Sequence, residues 1–427
     1  MIESNVIEYP DPNQSLLIER LDEAIKQLEQ APSFSKPTKA GRLFDTVKRV
    51  LHANGGFKII SQHIERIEKA GAFDNSDYAK PQILIPALSA PALLSNDVYT
   101  VIIETLSELR FLAVTKQEYV HPEISSEQAH HFLTQVLAVN LKRLFSAADE
   151  AERELQGRLA EISRGLLHHL AESIGYEHVI DQLIDEIWRI LQQRPIQVDH
   201  VKQMVTQIAI CRQNPDIDMG NSGQGADRLI SSLFGPTQAC REDPGVEIYK
   251  QRLQSMDNAA LQYEASGFAR AMHDTGLVSP YHSVLLRHLS EETDYLLSEA
   301  LGLSSTGRDC LLSFSDLVRA LIAKAIHPET AQAVYGLSLM LERGILYQPA
   351  MAPSLWRQLS LPLSPAAEER LNSLFGDSPG ASSRLLEGVL CVLGQPLGIG
   401  QGNNPTCQSA RAMSMWAYND PDYLLQM

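Results

Sequence analysis

A chain of 427 residues is long enough to bury more than one hydrophobic core, and its 44% apolar and 21% charged residues exclude a disordered protein. Acidic residues exceed basic ones by 52 to 36, and the net charge of -16, with no dense basic cluster, excludes nucleic acid as an expected partner. The five cysteines lack CxxC or Cys/His spacing, so no zinc site, disulfide framework or other cofactor is predicted.

The N-terminal sequence gives no sign of export. The first residues, MIESNVIEYPDPNQ, carry acidic groups and prolines where a signal peptide has basic residues followed by an apolar run. No later stretch reaches the roughly eighteen uninterrupted apolar residues that a membrane-crossing helix needs. We therefore predict a cytoplasmic protein that has no membrane association. We also predict that its substrate or partner is a protein or a peptide.

Apolar residues at helical spacing predict a mainly α, multi-helical fold with little or no β-sheet. The first helix covers SLLIERLDEAIKQLEQ, and further helical patterns alternate with proline-bearing links as far as about residue 120. The apolar stripe of this first helix consists of Leu16, Leu17, Leu21, Ile25 and Leu28. Only the apolar triplet at 83–85 is a candidate for a short strand.

The clearest helix start lies at Ser125 and Gln128, which stand in the relation of a capping box. The stripe that follows consists of Leu133, Val136, Leu137, Leu141, Leu144 and Phe145. Two more helices, separated by Pro195, lead to the turn-rich stretch CRQNPDIDMGNSGQGAD, which predicts a domain boundary.

Later in the chain, Pro328 and Gly344 are placed to begin and end another helix. A second boundary is predicted at LPLSPAAEERLNSLFGDSPGASSR, which is rich in Ser, Pro and Gly. We therefore predict two or three helical subdomains. The predicted segments are an N-terminal helical region at 1–124, a long-helix bundle at 125–215, a second helical region at 226–360, and a Gly-rich loop and helix at 361–427 that begins a truncated catalytic unit.

The segment that indicates chemistry is LGIGQGNNPTCQSARAMSMWA, near the C-terminus. Glycine lets other groups approach the backbone closely, and the N-terminus of a helix favours a thiolate over a thiol. Cys407 precedes a helical pattern, so we predict it as a nucleophile. Gly400, Gly402, Asn403 and Asn404 are predicted as binding residues beside it.

Gln401 lies six residues before Cys407, and this Gln-x5-Cys spacing at a helix start resembles the papain-like cysteine peptidases. The resemblance covers fewer than twenty residues. It implies that the amide of Gln401 donates to the oxyanion and that Cys407 attacks the acyl carbon. The function implied is a cysteine-dependent acyl-transfer enzyme: a peptidase, an amidase or a transglutaminase-like enzyme.

The family takes its catalytic histidine from downstream of the cysteine, but no histidine follows Cys407 here. Two sources of a base remain open. One is sequence following Met427, if the chain is part of a longer polypeptide. The other is an upstream histidine, for which His273 and His282 in MHDTGLVSPYHSVLLRH are the candidates because they flank a predicted loop.

An alternative interpretation needs no catalysis. Glycines and asparagines before a helix, with Thr406 as its cap, are also typical of a structural loop. The protein would then be a non-catalytic α-helical scaffold or interaction module that presents grooves between helices to a protein partner. The adjacent histidines at 130–131 and 168–169 are interpreted as one core-facing and one solvated member of each pair, and no metal site is predicted.

Overall fold

A computed structural model gives the structure of most of the chain. It describes residues 12–140, 143–144, 158–213, 222–240, 242–292, 294–400 and 407–426. Across these ranges the chain forms α-helices joined by turns and short 3-10 helices, and it contains no strand. The predicted mainly α, multi-helical fold is therefore confirmed, and no helix in the described ranges is both long and apolar enough to cross a membrane.

The chain divides into two compact units. Unit 1 comprises Met1–Leu183 and Gln213–Gly220, and unit 2 comprises Ile184–Arg212 and Asn221–Met427. The division after Leu183 falls inside a continuous helix. The finer segments given in the sequence analysis remain predictions.

Unit 1 is built around one helix that is buried on all sides. Its described helices are α1 Pro12–Glu29, α2 Lys36–Leu51, α3 Gly56–Lys69, α4 Ser89–Leu93, α5 Val98–Thr115, α6 Ser126–Val139, α7 Arg158–Ile174 and the first half of α8 Tyr176–Leu191. Helices α2, α3, α4, α6 and α7 all contact α5. Every residue of α5 from Val101 to Val114 is consequently buried, including five polar ones.

The predicted capping box starts α6. The Gln128 backbone N–H donates to the Ser125 hydroxyl at 3.1 Å, and the Gln128 side chain accepts from the Ser125 N–H at 2.9 Å. These two bonds satisfy N–H groups that have no partner within the helix. Leu133, Val136 and Leu137 are buried as the stripe predicts, whereas positions 141 and 145 lie outside the described residues.

The triplet at 83–85 is not a strand. A 3-10 turn, Pro81–Ile83, runs into it, and Leu84 and Ile85 then have extended backbones without a ladder partner in the described structure. Prolines on both sides explain this, because proline cannot donate to a sheet and restricts the residue before it.

Unit 2 contains the remaining described helices. They are the second half of α8, α9 Asp199–Gln213, whose last residue belongs to unit 1, α10 Ser222–Phe234, α11 Val246–Gln254, α12 Asn258–Thr275, α13 Pro280–Glu292, α14 Leu297–Ala300, α15 Ser305–Ser313, α16 Ser315–Ala325, α17 Ala333–Glu342, α18 Met351–Ser360, α19 Pro365–Phe375, α20 Ala381–Gly394, α21 Cys407–Asn419 and α22 Pro421–Gln426. Leu, Ile and Val side chains from most of them form a single core.

Helices α17 and α20 meet through two glycines. A Cβ atom on Gly336 would lie 2.7 Å from the backbone nitrogen of Cys391, and one on Gly394 would collide with the carbonyl oxygen of Gly336. The two backbones therefore touch, which only glycine at both positions permits. The helix predicted from Pro328 to Gly344 is divided: Pro328–Thr330 is a 3-10 turn, and α17 follows it and ends before Gly344.

Candidate functional site

Cys407 is the first residue of α21 and is exposed to solvent. The structure describes all five cysteines, and the other four are buried. Arg411 and Met415 follow Cys407 at helical spacing and are also exposed, so the three side chains share the outer face of α21. The thiol of Cys407 makes no hydrogen bond with any residue that the structure describes.

The half-buried Arg343 connects α21 to α20. The Arg343 guanidinium donates to the carbonyl oxygens of Leu393 and Ala417 and lies 5.6 Å from the ring centre of Tyr418. These contacts connect the end of α20 to the last turn of α21. They leave the first turn, with Cys407, unconstrained by this arginine.

The Gly-rich run before Cys407 is only partly described. Gln401, Gly402, Asn403 and Asn404 lie outside the described residues. Gly400 is exposed, and a Cβ atom there would meet no atom within 4 Å. The preceding Gly398 has a packing role, because its carbonyl oxygen accepts from the Ile196 N–H at 3.0 Å and a Cβ on Gly398 would collide with the backbone of residue 194.

The two upstream histidines considered as bases each contact a backbone carbonyl. His282 is 1% exposed, and its Nε2 lies 2.8 Å from the carbonyl oxygen of Ala300. Burial lowers the pKa of His282 to about 4. A side chain this enclosed cannot reach an exposed thiol. His273 is exposed, with its Nε2 at 3.0 Å from the carbonyl oxygen of Leu301.

A groove lies between α10 and α12 in unit 2. Its volume is about 600 Å³. Its base consists of buried and half-buried small residues, namely Ser231, Ser232, Pro236, Thr237, Ser266, Gly267, Ala271 and Thr275. Its rim consists of exposed longer side chains, namely Arg228, Gln262, Tyr263, Arg270 and Asp274.

Helical spacing aligns one wall of this groove. Tyr263, Gly267, Arg270 and Asp274 recur every three or four residues, so they occupy one face of α12. Gly267 sits where α12 approaches the end of α10, and a Cβ atom there would lie 2.8 Å from Cγ2 of Thr237. A glycine in the middle of this helix is therefore explained by close packing beneath the groove.

The rim contains one paired and one unpaired arginine. The Arg228 guanidinium donates to the carboxylate of Asp274 at 3.1 Å and lies 5.6 Å from the ring centre of Trp188. The guanidinium of Arg270 makes no hydrogen bond or ion pair with any described residue. Tyr263, two turns earlier on α12, is 67% exposed. The groove thus presents a free cation and a large aromatic side chain to solvent.

A buried hydrogen-bond network lies beneath the base of the groove. The hydroxyls of Thr237 and Tyr249 donate to the same oxygen of the Glu264 carboxylate, at 2.8 and 2.7 Å. The thiol of Cys240 lies 3.0 Å from the Thr237 hydroxyl. Burial raises the pKa of Glu264, although the two hydroxyl bonds act in the opposite direction. Because Thr237 already donates to Glu264, its hydroxyl has no proton left to offer a ligand in the groove.

A second cavity of about 620 Å³ lies between α11 and α13. Glu247, Lys250, His288 and Glu291 line it, so charges of both signs face the opening. Arg287 also lines it, but its Nη1 donates to carbonyl oxygens at the end of α16, the nearest being that of Ala323 at 2.8 Å. The charges here are balanced, which makes this cavity less selective for a charged ligand than the groove.

The most strongly perturbed ionisable groups lie in the closed core of unit 1. Glu104 and Glu108, one turn apart on α5, are 5% and 1% exposed and are hydrogen-bonded to each other. Burial raises the pKa of both carboxyls. The Tyr78 hydroxyl donates to Glu104 at 2.6 Å. Since neither carboxyl is open to solvent, we assign this pair to the interior packing of the unit and not to a ligand site.

An ion pair accompanies these carboxyls. Arg110 is fully buried, with Nη1 donating to the Glu68 carboxylate at 2.7 Å and Nη2 to the Ser107 hydroxyl at 3.3 Å. Its guanidinium carbon lies 4.2 Å from the ring centre of Phe73. His121 contacts the same Glu68 oxygen at 3.3 Å. Burial lowers the pKa of Arg110, and the charge of Glu68 opposes this change.

Metal binding finds no support in the part of the chain that the structure describes, where no three His, Cys, Asp or Glu side chains converge on one point. The ring of His130 lies 5.3 Å from that of His178, and the ring of His169 stacks on Phe57 at 5.8 Å. Burial lowers the pKa of both His130 and His169. These contacts are those of packed aromatic rings.

Comparison of the chain with protein-family models, with curated proteins and with solved structures gives no match. The assignment of a function therefore depends on the residues and geometry described above.

Proposed function

We propose that this protein is a helical interaction module that binds a segment of a partner protein in the groove between α10 and α12. The observation that carries the proposal is the exposure of Tyr263 and of the unpaired Arg270 above a base of small residues. Tyr and Arg are the residue types that most often dominate the energy of protein interfaces. A concave base of small residues leaves room for side chains of the partner.

Filling the groove is expected to abolish peptide binding. Random 12-residue peptides would be selected by display on the full chain, and the affinity of each enriched peptide would be measured by fluorescence anisotropy. Ser231→Trp introduces a large ring between α10 and α12, so we expect the affinity to fall by roughly tenfold or more through steric overlap.

Ser373→Trp is the matched control. Ser373 is exposed on α19, lies outside the groove, and donates to the carbonyl of Arg370 just as Ser231 donates to that of Arg228. This variant is expected to bind like the unaltered chain. The proposal fails if no peptide is enriched, or if the enriched peptides bind both tryptophan variants equally well.

A second candidate function is cysteine-dependent acyl transfer at Cys407. One observation favours it: Cys407, the cysteine of the Gln-x5-Cys motif, is exposed at a helix start. The other four cysteines are at most 2% exposed, namely Cys211, Cys240, Cys310 and Cys391. This candidate needs a thiolate that is more abundant than in a free cysteine.

Iodoacetamide labelling of the folded chain tests the state of this thiol. We expect Cys407 to be alkylated first, because the other four thiols are shielded and burial raises the pKa of Cys211 to about 12 and of Cys310 to about 11. An unperturbed thiol loses rate by roughly 100-fold between pH 8 and pH 6. Acyl transfer at Cys407 predicts a much smaller loss, read by peptide mass spectrometry. A loss equal to that of glutathione measured in parallel rejects this second candidate.

A further inference from the structure

We infer that the groove between α10 and α12 selects an acidic segment of its partner, with an Asp or Glu carboxylate seated on Arg270. This inference rests on the proposed interaction function and adds the chemistry of the ligand. It follows from which charged and polar groups around the groove already have partners and which do not.

The charge balance at the rim favours an anion. Arg228 and Asp274 neutralise each other through their ion pair, so the charge of Arg270 is left over. A guanidinium presents a planar pair of N–H donors that matches the two oxygens of a carboxylate.

The neighbouring donors extend this site along α12. The Tyr263 hydroxyl and the Gln262 amide are exposed on the same helix, two turns before Arg270, and neither side chain bonds to a residue that the structure describes. They can hydrogen-bond to the backbone or to polar side chains of a bound segment. Gly267, which lies between them and Arg270 in the sequence, and Ala271, which follows Arg270, are small and leave space for that segment.

The hydroxyls at the base of the groove already donate hydrogen bonds within the protein, which favours a carboxylate over a phosphate as the ligand. Ser266 donates to Glu299 at 2.5 Å, Thr237 donates to Glu264, and Ser232 donates to the carbonyl oxygen of Arg228 at 2.6 Å. Phosphate groups on peptides are usually held by clusters of arginines. One free arginine, above hydroxyls that already donate to carboxylates or to a backbone carbonyl, fits a singly charged group.

The test uses the peptides selected on the full chain and changes one charge on each side. In the peptide, each Asp or Glu is replaced by Asn or Gln, one position at a time. In the protein, Arg270 is replaced by Gln. On the unaltered chain, we expect the amide peptide to bind about 10- to 100-fold more weakly, the usual effect of a charge-assisted hydrogen bond. On Arg270→Gln, the acidic and amide peptides are expected to bind equally, because the two changes remove the same interaction.

Arg308→Gln is the control for the arginine. Arg308 is exposed on α15 outside the groove and, like Arg270, has no partner among the described residues, so its replacement should keep the preference for the acidic peptide. Peptides that depend on Ser231 but bind equally as acid and amide overturn this inference and leave the interaction function standing. A phosphoserine peptide that binds tenfold more tightly than its glutamate version also overturns it. The absence of any groove-dependent peptide overturns both.

Discussion

Replacing Arg110 by methionine is expected to lower the free energy of unfolding of unit 1 by about 3–5 kcal/mol, the usual effect of removing one partner from a buried ion pair. Methionine fills much of the space against Phe73 but leaves the Glu68 carboxylate, 17% exposed, without its closest cation. The His121 ring and the Tyr119 hydroxyl then remain beside that carboxylate, and neither replaces the permanent charge of the guanidinium. The measurement is hydrogen exchange of the α5 amides, followed by mass spectrometry.

Arg66→Met provides the comparison within the same unit. Arg66 lies on α3 and pairs with Asp22 and Glu29, but its side chain is 43% exposed. Ion pairs this exposed contribute about 0–1 kcal/mol, because water already solvates both charges. If both variants lose equal protection in α5, the buried ion pair has no special importance. The Arg110 variant should regain part of its stability when Glu68 is also replaced by Gln, since no buried charge is then left unpaired.

Replacing Glu108 by Gln is expected to stabilise unit 1 at neutral and alkaline pH by about 1–3 kcal/mol, the usual penalty for a buried polar group without a partner. One oxygen of Glu108 is buried with no hydrogen-bond partner in the described structure, and the adjacent Glu104 disfavours a second negative charge. An amide in its place has no charge to bury and can still donate a hydrogen bond to Glu104.

The pH dependence of unit 1 follows from the same pair. Burial raises the pKa of both carboxyls above the value of about 4.5 that the unfolded chain has. The protonated pair therefore stabilises the fold fully below that value, and this stabilisation is lost as the pH rises through the folded-state pKa. Protection of the α5 amides, corrected for intrinsic exchange, should fall as the pH rises above about 4.5 in the unaltered chain and change less in Glu108→Gln.

An exposed glutamate near the same helix separates this effect from a general change of charge. Glu118 follows the end of α5 and is exposed, so Glu118→Gln should reproduce the pH profile of the unaltered chain. A Glu108→Gln profile that is as steep as the original would mean that Glu108 binds its proton no more tightly in the folded chain than in the unfolded one.

The helices themselves could be predicted from the sequence, but the surroundings of α5 could not. Apolar spacing predicts the helix in VYTVIIETLSELRFLAV, and the capping box predicts the start of α6 to the residue. Nothing in the pattern of α5 indicates that Glu104, Glu108 and Arg110 are buried. Their partners, Tyr78 and Glu68, come from other parts of the chain and are brought to α5 only by tertiary packing.

The candidate sites differ in the same way. Position and composition alone were enough to place Cys407 at a helix start, because the signals for a helix terminus are local. The groove combines Ser231 on α10 with Tyr263 and Arg270 on α12, and none of these residues is unusual in a helix. The one local signal is Gly267, since a glycine inside a helix costs roughly 1 kcal/mol relative to alanine and so indicates a packing reason.

The contact between Gly336 and Gly394 gives a way to recognise distant relatives of unit 2 from their sequences. At this crossing the backbones of α17 and α20 touch, so any added side-chain atom at either position forces the two helices apart. Substitutions elsewhere in the core of unit 2 can compensate one another by volume, whereas these two positions have no volume to exchange. We therefore expect both glycines to be retained in related chains whose other residues have changed. A glycine in each of two apolar helices could then be used to align unit 2 of such a chain with unit 2 of this one.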